Sequence, residues 1–313
     1  MDQVTALSYS SSANLGPGYD LLALAHDAFH DSVTAMINPA QGRIPLTVNG
    51  MDGLTDPKIN TAGLSVLNLL HDNDINEPVS LYINKGIPAG LGLGSSGASA
   101  AAAVSAVSEL FNLKLSSDEK VKYAMLGEIA SSGTPHADNV AASIHGGFVV
   151  IESVSPIRVR RLRIHDSFSF LTVIPSIHIK DKTKMCRTLV PDRIPITSYI
   201  QNARYITELV AGLTGGDREL VKNGMNDIIV EAARKPLYPY YEKMKTMMLE
   251  SGAAGVCISG AGPSIMAVVD SFTDLQKIRT GVEEVFAPMK ISYRIVESKI
   301  SGGTEIERNP AGS

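Results

Sequence analysis

The sequence of 313 residues contains no tryptophan and only two cysteines, and aromatic residues make up 5% of it. So few rings provide little surface for the base stacking on which single-stranded nucleic-acid binders depend. Cys186 and Cys257 lie far apart and follow no metal-ligand spacing, which is typical of a protein from a reducing compartment. Since no basic and then apolar leader follows Met1, we expect a cytoplasmic protein.

Long apolar runs and an excess of one charge are also missing. A membrane helix needs roughly 20 apolar residues, and serines interrupt the alanine-rich stretch of residues 99–109. The net charge is −4, and the basic run Arg158–Arg163 alternates as the solvated face of a strand does. We therefore expect neither nucleic acid nor a membrane as a partner. The 44% of hydrophobic residues suffices for one large domain or two modest ones.

The segment Gly86–Ala98 is rich in glycine and leads into the alanine-rich stretch, whose apolar spacing predicts a buried helix from near Ser96. Its glycines at positions 90, 92, 94 and 97 allow backbone conformations closed to other residues and bring N–H groups close to a ligand. The free amides and the dipole of the helix start add to this attraction for anions. We predict a phosphate-binding loop.

Several identities are open for this loop. Gly92–Gly97 satisfies the dinucleotide pattern G-x-G-x-x-G, but that pattern belongs at the head of a Rossmann unit and here follows about 90 other residues. A Walker A loop needs a lysine after its last glycine, whereas Ser95 and Ser96 follow Gly94. Because a hydroxyl at a helix start can cap the helix or bind Mg²⁺ beside a triphosphate, the serines favour ATP over a redox cofactor. A tight turn without a ligand is the remaining alternative.

The loop Ser10–Asp20 also carries polar side chains at a sharp turn. Gly16–Gly18 forces this turn between Asn14 and Asp20, which can then converge on one small ligand. Alternatively, Asp20 is the N-cap of a helix over residues 21–26. Three serines before a fixed turn favour a binding site, and both interpretations can hold together.

Residues 131–139 and 259–264 form two more turns. The first carries three side chains able to bind a polar ligand, namely His136, Asp138 and Asn139. The second is a glycine turn between two apolar strands and is too tight for a flexible linker. The first turn is thus another candidate binding loop, and the second an ordered connection.

Apolar periodicity and turn residues predict the order of the remaining elements. Strands are predicted over residues 4–9, 32–37, 44–48, 79–84, 146–151, 157–164, 168–175 and 291–296. Besides the helix from near residue 96, helices are predicted over residues 59–70, 117–130 and 274–286. We expect the tail of residues 301–313 to be mobile.

Three motifs together resemble those of the GHMP small-molecule kinases, a family named for galactose, homoserine, mevalonate and phosphomevalonate. They are Ser12–Asp20, Pro88–Ala98 and Ile258–Ser264. The first motif and His136–Asn139 look like those of members that act on homoserine, and the match covers most of the chain. Gly97 departs from the pattern, which usually has alanine there; the change loosens the helix start without removing a functional group.

This resemblance implies an α+β fold with two domains and a cleft between them. Residues 1–153 would form an N-terminal domain similar to domain 2 of ribosomal protein S5, which carries the phosphate loop. Residues 154–313 would form a ferredoxin-like C-terminal domain.

The activity implied by the resemblance is ATP-dependent phosphorylation of the side-chain hydroxyl of L-homoserine to O-phospho-L-homoserine, a step of threonine biosynthesis. ATP and Mg²⁺ are the implied cofactors, and a homodimer is compatible with this activity. Alternatives are a kinase for another small alcohol such as a mevalonate-like substrate, a sensor that binds without turnover, and a dinucleotide-dependent oxidoreductase. Ser96 and Glu128, which match the family's magnesium ligands, are intact here and argue against a sensor.

The same resemblance assigns residues to each ligand. The ATP phosphates would contact Pro88, Ala89, Gly90, Leu91, Gly92, Leu93, Gly94, Ser95, Ser96, Gly97 and Ala98. Mg²⁺ would bind Ser96, Glu128 and Thr183. Homoserine would contact Asn14, Asp20, His136, Arg187 and Arg234.

An amino-acid substrate offers a carboxylate, an ammonium and a hydroxyl, and the implied residues suit these groups. Arg187 and Arg234 can clamp the carboxylate with bidentate hydrogen bonds. Asp20 can pair with the ammonium, while Asn14 and His136 can orient the hydroxyl for phosphoryl transfer.

No catalytic base is assigned. Asp138 is the candidate that mevalonate-like relatives suggest, whereas the homoserine pattern has Asn139 at that place. A loose phosphoryl-transfer transition state depends mainly on positioning and charge neutralisation. Asn14 and Asn139 are therefore expected to position the transition state.

Overall fold

The computed structural model describes residues 3–38, 46–50, 55–179 and 182–307. Its strands are β1 (Gln3–Ala13), β2 (Leu22–Ile37), β3 (Leu46–Gly50), β4 (Val79–Asn84), β5 (Phe148–Val154), β6 (Ile157–Leu162), β7 (Ser169–Pro175), β8 (Gly255–Ile258), β9 (Ile265–Val269), β10 (Tyr293–Ser298) and β11 (Glu305–Glu307). Its helices are α1 (Thr61–Asp72), α2 (Ser95–Leu110), α3 (Ser117–Gly127), α4 (Ile129–Ser132), α5 (Asp138–His145), α6 (Lys182–Thr188), α7 (Ile196–Gly215), α8 (Arg218–Gly224), α9 (Val230–Arg234), α10 (Tyr241–Glu250) and α11 (Leu275–Phe286).

The first sheet joins seven of these strands in the order β11-β1-β2-β4-β3, with β5 paired to β2 and β6 paired to β5. β1 and β2 are antiparallel, and their register runs from Gln3 opposite Met36 to Ala13 opposite Ala23. The C-terminal end of β1 and the N-terminal end of β2 therefore meet at the loop that contains Asn14 and Asp20. β3 is parallel to β4, which leads directly into the glycine-rich loop.

Helix α2 lies in the centre of the first domain because its side chains are small. Ala100, Ala101, Ala102 and Ala103 are fully buried, and the core around them includes side chains of the first sheet and of helices α1, α3 and α5. Alanine has the highest intrinsic helix propensity and loses no side-chain entropy on burial. A helix of this composition can pack closely on its neighbours, which holds the glycine-rich loop at its N-terminus against the sheet.

The second sheet is antiparallel, with the strand order β10-β7-β9-β8. Along the chain, β7 is followed by helices α6 to α10, then by the β8–β9 hairpin, and finally by α11 and β10. This order is ferredoxin-like. The mixed architecture of two sheets confirms the predicted α+β fold class. No helix in the described ranges has the length and apolarity needed to cross a membrane.

A separate apolar cluster joins the two sheets. It contains Leu22 and Phe148 from the first sheet and Phe170 and Met266 from the second, all of them buried. Burial of this apolar surface stabilises the contact between the two units, since each Å² removed from water contributes roughly 25 cal/mol. The packing of this apolar cluster thus determines how the two domains are positioned relative to each other.

The predicted helix over residues 21–26 is wrong, because Leu21 lies in a turn and residues 22–26 begin strand β2. Residues Leu22–His26 are all buried, so the strand start shows a continuous apolar run instead of alternation. Such a run does not distinguish a buried strand from a buried helix. Asp20 accordingly does not cap a helix; its φ of 57° places it in a left-handed turn before the strand.

The expected mobility of the tail is wrong for residues 301–307, whereas residues 308–313 lie outside the described part. Residues Glu305–Glu307 form β11, which pairs with Thr5–Leu7 of β1 at the edge of the first sheet. Ser8 Oγ and Thr304 Oγ1 are hydrogen-bonded at 2.6 Å. Residues Glu305–Glu307 are therefore an integral strand of the N-terminal sheet.

Most other predicted elements agree with the structure to within a few residues. β4 spans the predicted residues 79–84, and the turn of residues 259–264 connects β8 to β9 as expected. Of the predicted strand over residues 44–48, residues 44 and 45 lie outside the described part. The predicted domain division at residues 153/154 falls in the β5–β6 hairpin, both strands of which belong to the first sheet. This division stays a prediction.

Candidate active site

A cavity of about 350 Å³ opens between the two domains. Its walls include residues of the Ser10–Asp20 loop, the glycine-rich loop, the turn of residues 131–139, helix α6 and the turn of residues 259–264. The structure brings all the predicted substrate and metal residues to this one cavity, namely Asn14, Asp20, Ser96, Glu128, His136, Thr183, Arg187 and Arg234. Of the predicted phosphate loop, it is lined by Ala89, Gly90, Gly92, Leu93, Gly94, Ser95 and Ser96.

The glycine-rich loop has the conformation that its glycines predict. Gly90, Gly92 and Gly94 have φ values of 73°, 83° and 70°, which side chains with a Cβ rarely adopt. Gly94 is the N-cap of α2, so the free amides of the helix start face the cavity region. A Cβ on Gly92 would lie 2.3 Å from the Ser259 carbonyl oxygen, so the loop packs directly on the turn of the second domain.

Gly97, the departure from the family pattern, has a packing reason. A Cβ at this position would lie 3.2 Å from Cβ of Asn139 and 3.3 Å from the backbone nitrogen of Val140. Glycine therefore lets the first turn of α2 approach the first turn of α5 closely. An alanine here would have to displace these neighbours by a few tenths of an ångström, and glycine avoids this without adding or removing a functional group.

Glu128 stands beside the start of α2 and is only 8% exposed. Ser96 Oγ donates a hydrogen bond of 3.1 Å to its Oε2, and Ser131 Oγ approaches the same oxygen at 3.4 Å. Oε1 is buried and has no hydrogen-bond partner within the described residues. Burial raises the pKa of Glu128 to about 7, the Ser96 hydrogen bond lowers it, and the nearby Asp138 raises it further.

The unpartnered oxygen of Glu128 suits a hard cation. Mg²⁺ prefers oxygen ligands and keeps several waters, so one carboxylate and one or two hydroxyls are enough protein ligands when a triphosphate is present. Ser96 and Thr183 supply hydroxyls at the same cavity. A group of three or more histidine, cysteine or acidic residues, as a site built from protein alone would need, is absent from the described residues.

We expect the metal-free protein to lose stability as the pH rises from about 4.5 to about 7, because Glu128 must then ionise in a buried place. The folded-state pKa is raised from 4.5, so this stabilisation is present in full below 4.5 and is lost through about 7. Asp138, whose pKa burial raises to about 6, contributes in the same direction.

Urea unfolding in EDTA at several pH values measures this effect. The stability difference between wild type and Glu128→Gln should change by something on the order of 3 kcal/mol over this range. A difference that does not vary with pH would contradict the burial of an ionisable carboxyl at this position.

Asn14 and Asp20 are brought together by the turn between them. Asn14 has a left-handed φ of 72°; its Oδ1 accepts from the Asp20 backbone N–H at 3.2 Å, and its Nδ2 donates to the Gly260 carbonyl at 3.0 Å. Asp20 forms a two-fold ion pair with Arg187, with N···O distances of 2.9 and 3.3 Å. The loop is thus tied to the second domain by a side-chain amide and an ion pair.

His136 joins the same cluster. Its Nδ1 lies 2.7 Å from a terminal nitrogen of Arg187, and its Nε2 lies 3.0 Å from Thr134 Oγ1. Burial and the Arg187 charge lower the pKa of His136 to about 4, against the raising effect of Asp20. The imidazole is therefore neutral at pH 7, so Nδ1 accepts from Arg187 and Nε2 carries the proton.

Arg234 is 4% exposed and has no carboxylate partner among the described residues. Within the described ranges it donates two long hydrogen bonds, to the carbonyl oxygens of Cys186 at 3.3 Å and Gly260 at 3.4 Å. A guanidinium carries five N–H donors. The described residues therefore leave most of its hydrogen-bonding capacity for an anion in the cavity, and none of them pairs its charge with a carboxylate.

Some cavity residues were not predicted. The Tyr19 ring lies under both guanidinium groups, 5.5 Å from Arg187 and 5.1 Å from Arg234, where it can hold them by cation–π contact. Lys85 and Lys182 also line the cavity. Tyr19 belongs to a recognised motif and could have been found there, whereas a lone lysine has no spacing signal.

The turn of residues 131–139 carries Asp138 and Asn139, and the contacts of these side chains do not assign a catalytic base. Asp138 is buried and accepts from the Asn139 backbone N–H at 2.7 Å, while Asn139 Oδ1 accepts from Ser11 Oγ at 2.9 Å. Both side chains line the cavity. Asn139 is thereby fixed in orientation, which suits a positioning role.

Comparison with known proteins gives consistent results along the whole chain. The family profile "GHMP kinases N terminal domain" matches residues 61–147, and "GHMP kinases C terminal" matches residues 206–288. A homoserine kinase of Saccharolobus islandicus is 44% identical, with 98% of this chain and 99% of the relative covered. A homoserine kinase of Thermoplasma acidophilum is 46% identical with 98% of each covered. The crystal structure of homoserine kinase from Cytophaga hutchinsonii superposes with a TM-score of 0.88 at 30% identity, covering 98% of both chains.

Proposed function

The chain belongs to the GHMP kinase family, and on this premise we propose that it transfers the terminal phosphoryl group of ATP to the side-chain hydroxyl of L-homoserine. The products are ADP and O-phospho-L-homoserine, an intermediate suited to threonine biosynthesis. The relatives at 44 to 46% identity over nearly the full chain are homoserine kinases, which favours this substrate over a mevalonate-like alcohol.

The observation that carries the proposal is the arrangement of charges in one cavity. An anion-binding loop lines one part of it, and Asp20, Arg187 and Arg234 line another. An α-amino acid presents an ammonium and a carboxylate side by side, which these opposite charges complement. Mevalonate has a carboxylate but no ammonium, and galactose has neither.

Substrate binding must compete with the ion pair between Asp20 and Arg187. The pair is partly exposed, so breaking it costs little; exposed ion pairs contribute about 0 to 1 kcal/mol. The ammonium of homoserine would take the place of Arg187 at Asp20, and the freed guanidinium would join Arg234 on the carboxylate. The pair thus neutralises the charges of Asp20 and Arg187 before the substrate binds.

The phosphate loop, residues 88–98, would hold the triphosphate through its backbone N–H groups and the start of α2. Ser96, Glu128 and Thr183 would hold Mg²⁺, which neutralises charge on the phosphates. Asn14, His136 and Asn139 would orient the acceptor hydroxyl. With these groups fixed in place, a loose transition state needs no strong base.

A coupled assay of ADP release with homoserine, threonine, mevalonate and galactose tests the function. Homoserine should give the highest kcat/KM, with strict dependence on Mg²⁺ and a phosphomonoester product detectable by ³¹P NMR. Faster turnover of mevalonate or galactose would overturn the homoserine assignment. A change in NADH absorbance without ADP release would instead support an oxidoreductase.

A further inference from the structure

We propose that Lys182 binds the β- and γ-phosphates of ATP, supplying a positive charge that neither the loop nor the metal residues provide. The proposal rests on the kinase function above. Lys182 is the first residue of α6 and lies on the cavity wall contributed by the second domain. It is 6% exposed.

The contacts of Lys182 place its ammonium against the phosphate loop. Nζ donates to the carbonyl oxygen of Gly90 at 2.7 Å and also to that of Gly262. An ammonium has three N–H donors, so one remains beyond these two bonds. The two carbonyls hold the charge where the loop and the turn of residues 259–264 meet.

The charge of Lys182 is not balanced within the described part of the chain, where it forms no ion pair. A buried cation without a partner is costly, because carbonyl dipoles replace only part of its hydration. An anion bound in the cavity would balance the charge that the described residues leave uncompensated.

Lys85, the other lysine of the cavity, provides a contrast. Its ammonium forms an ion pair with the buried Asp31 and donates to the Ser95 carbonyl at 2.9 Å and to Ser99 Oγ at 2.7 Å. All three of its donors are used and its charge is neutralised. Lys85 thus secures the start of α2, whereas Lys182 is left to act on a ligand.

The space beside Gly90 suits a phosphate as this anion. A Cβ built on Gly90 would meet nothing within 4 Å, so the backbone beside Lys182 faces open space. A polyanion lying along this loop comes within reach of the ammonium. The amino-acid carboxylate is assigned instead to Arg234, which contacts Gly260.

Binding measurements with three variants test the proposal. Lys182→Gln keeps an N–H donor for the two carbonyls but removes the charge, Lys182→Arg keeps the charge, and Lys184→Met is a matched control at an exposed position of the same helix. We expect Lys182→Gln to weaken binding of Mg²⁺ and a non-hydrolysable ATP analogue by about tenfold or more. AMP affinity should stay nearly unchanged, Lys182→Arg should recover most of the loss, and Lys184→Met should resemble wild type.

Equal weakening of AMP and the ATP analogue, or no weakening of either, would overturn the proposal and leave Lys182 a structural link. A second measurement uses the wild type alone, so it does not depend on a variant that folds. Acetylation of Lys182 followed by mass spectrometry should be suppressed by the ATP analogue but not by AMP, with Lys184 unaffected; equal protection by both nucleotides would contradict a phosphate contact. Because neither readout involves homoserine, a failure of the substrate assignment would appear separately.

Discussion

Replacing Arg234 by leucine should lower kcat/KM for L-homoserine by about 30- to 1,000-fold, equivalent to about 2 to 4 kcal/mol of transition-state binding. The reason is that its buried guanidinium has no carboxylate partner among the described residues and most of its donors are free. A carboxylate clamped there would lose a charge-assisted contact in a place shielded from water. ATP affinity should barely change. Steady-state kinetics with homoserine and a binding titration with the ATP analogue measure both.

A substrate analogue separates the carboxylate contact from general damage to the site. In 2-amino-1,4-butanediol an alcohol replaces the carboxylate, so this compound has no such contact to lose. The effect of Arg234→Leu should therefore shrink on the analogue, and the four measurements form a thermodynamic cycle. Equal losses on both compounds, or unchanged turnover of homoserine, would make Arg234 structural. Thermal unfolding checks that the variant is folded, and Arg234→Lys provides a second variant that retains the charge.

Replacing Glu128 by glutamine should reduce kcat at saturating ATP and Mg²⁺ by about 100-fold or more. Its buried carboxylate is the one charged group among the proposed metal ligands, and Oε1 has no other partner in the described chain. Glutamine has nearly the same shape and resembles the protonated carboxyl, so the fold should survive. The measurement is ADP release as a function of Mg²⁺ concentration.

The matched control for this variant is Glu152→Gln, which alters an exposed carboxylate on β5 that pairs with Arg160. It should leave the Mg²⁺ dependence unchanged. Wild-type activity of Glu128→Gln at all metal concentrations would remove Glu128 from the metal site. If the variant loses activity but its metal dependence stays the same, Glu128 would act on the packing of the loop instead.

The local order of elements could be predicted from the sequence where turn residues bound a single pattern. In β4, buried and exposed residues alternate from Leu81 to Asn84, and the start of α2 follows directly from Gly94. The start of strand β2 was harder to predict from the sequence, because its first residues are buried on both faces and show no alternation. Strand β11 is three residues long and is stabilised by pairing with β1, about 300 positions away, so it has little local signal.

The family resemblance predicted most residues of the candidate site. The contacts between these residues could be described only from the structure. No spacing rule relates Arg187 or Arg234 to a loop near the N-terminus, and each alone would pass for a surface residue. The ion pair between Asp20 and Arg187 depends on how the two domains pack, which the apolar cluster between the sheets determines. Lys182 was missed for the same reason, since its partners are backbone carbonyls of two distant loops.

The pairing of β11 with β1 has a consequence for the order of synthesis. The N-terminal domain of a growing chain usually folds first, yet the outer edge of this sheet receives its partner only after residue 307 has left the ribosome. Until then β1 presents an unpaired edge, which is a template for association with other chains. In a nascent chain, or in one cut short before Glu305, the edge of β1 that pairs with β11 is therefore unpaired. This strand leads into the Ser10–Asp20 loop of the candidate site. Chaperone protection during translation would matter most in this interval.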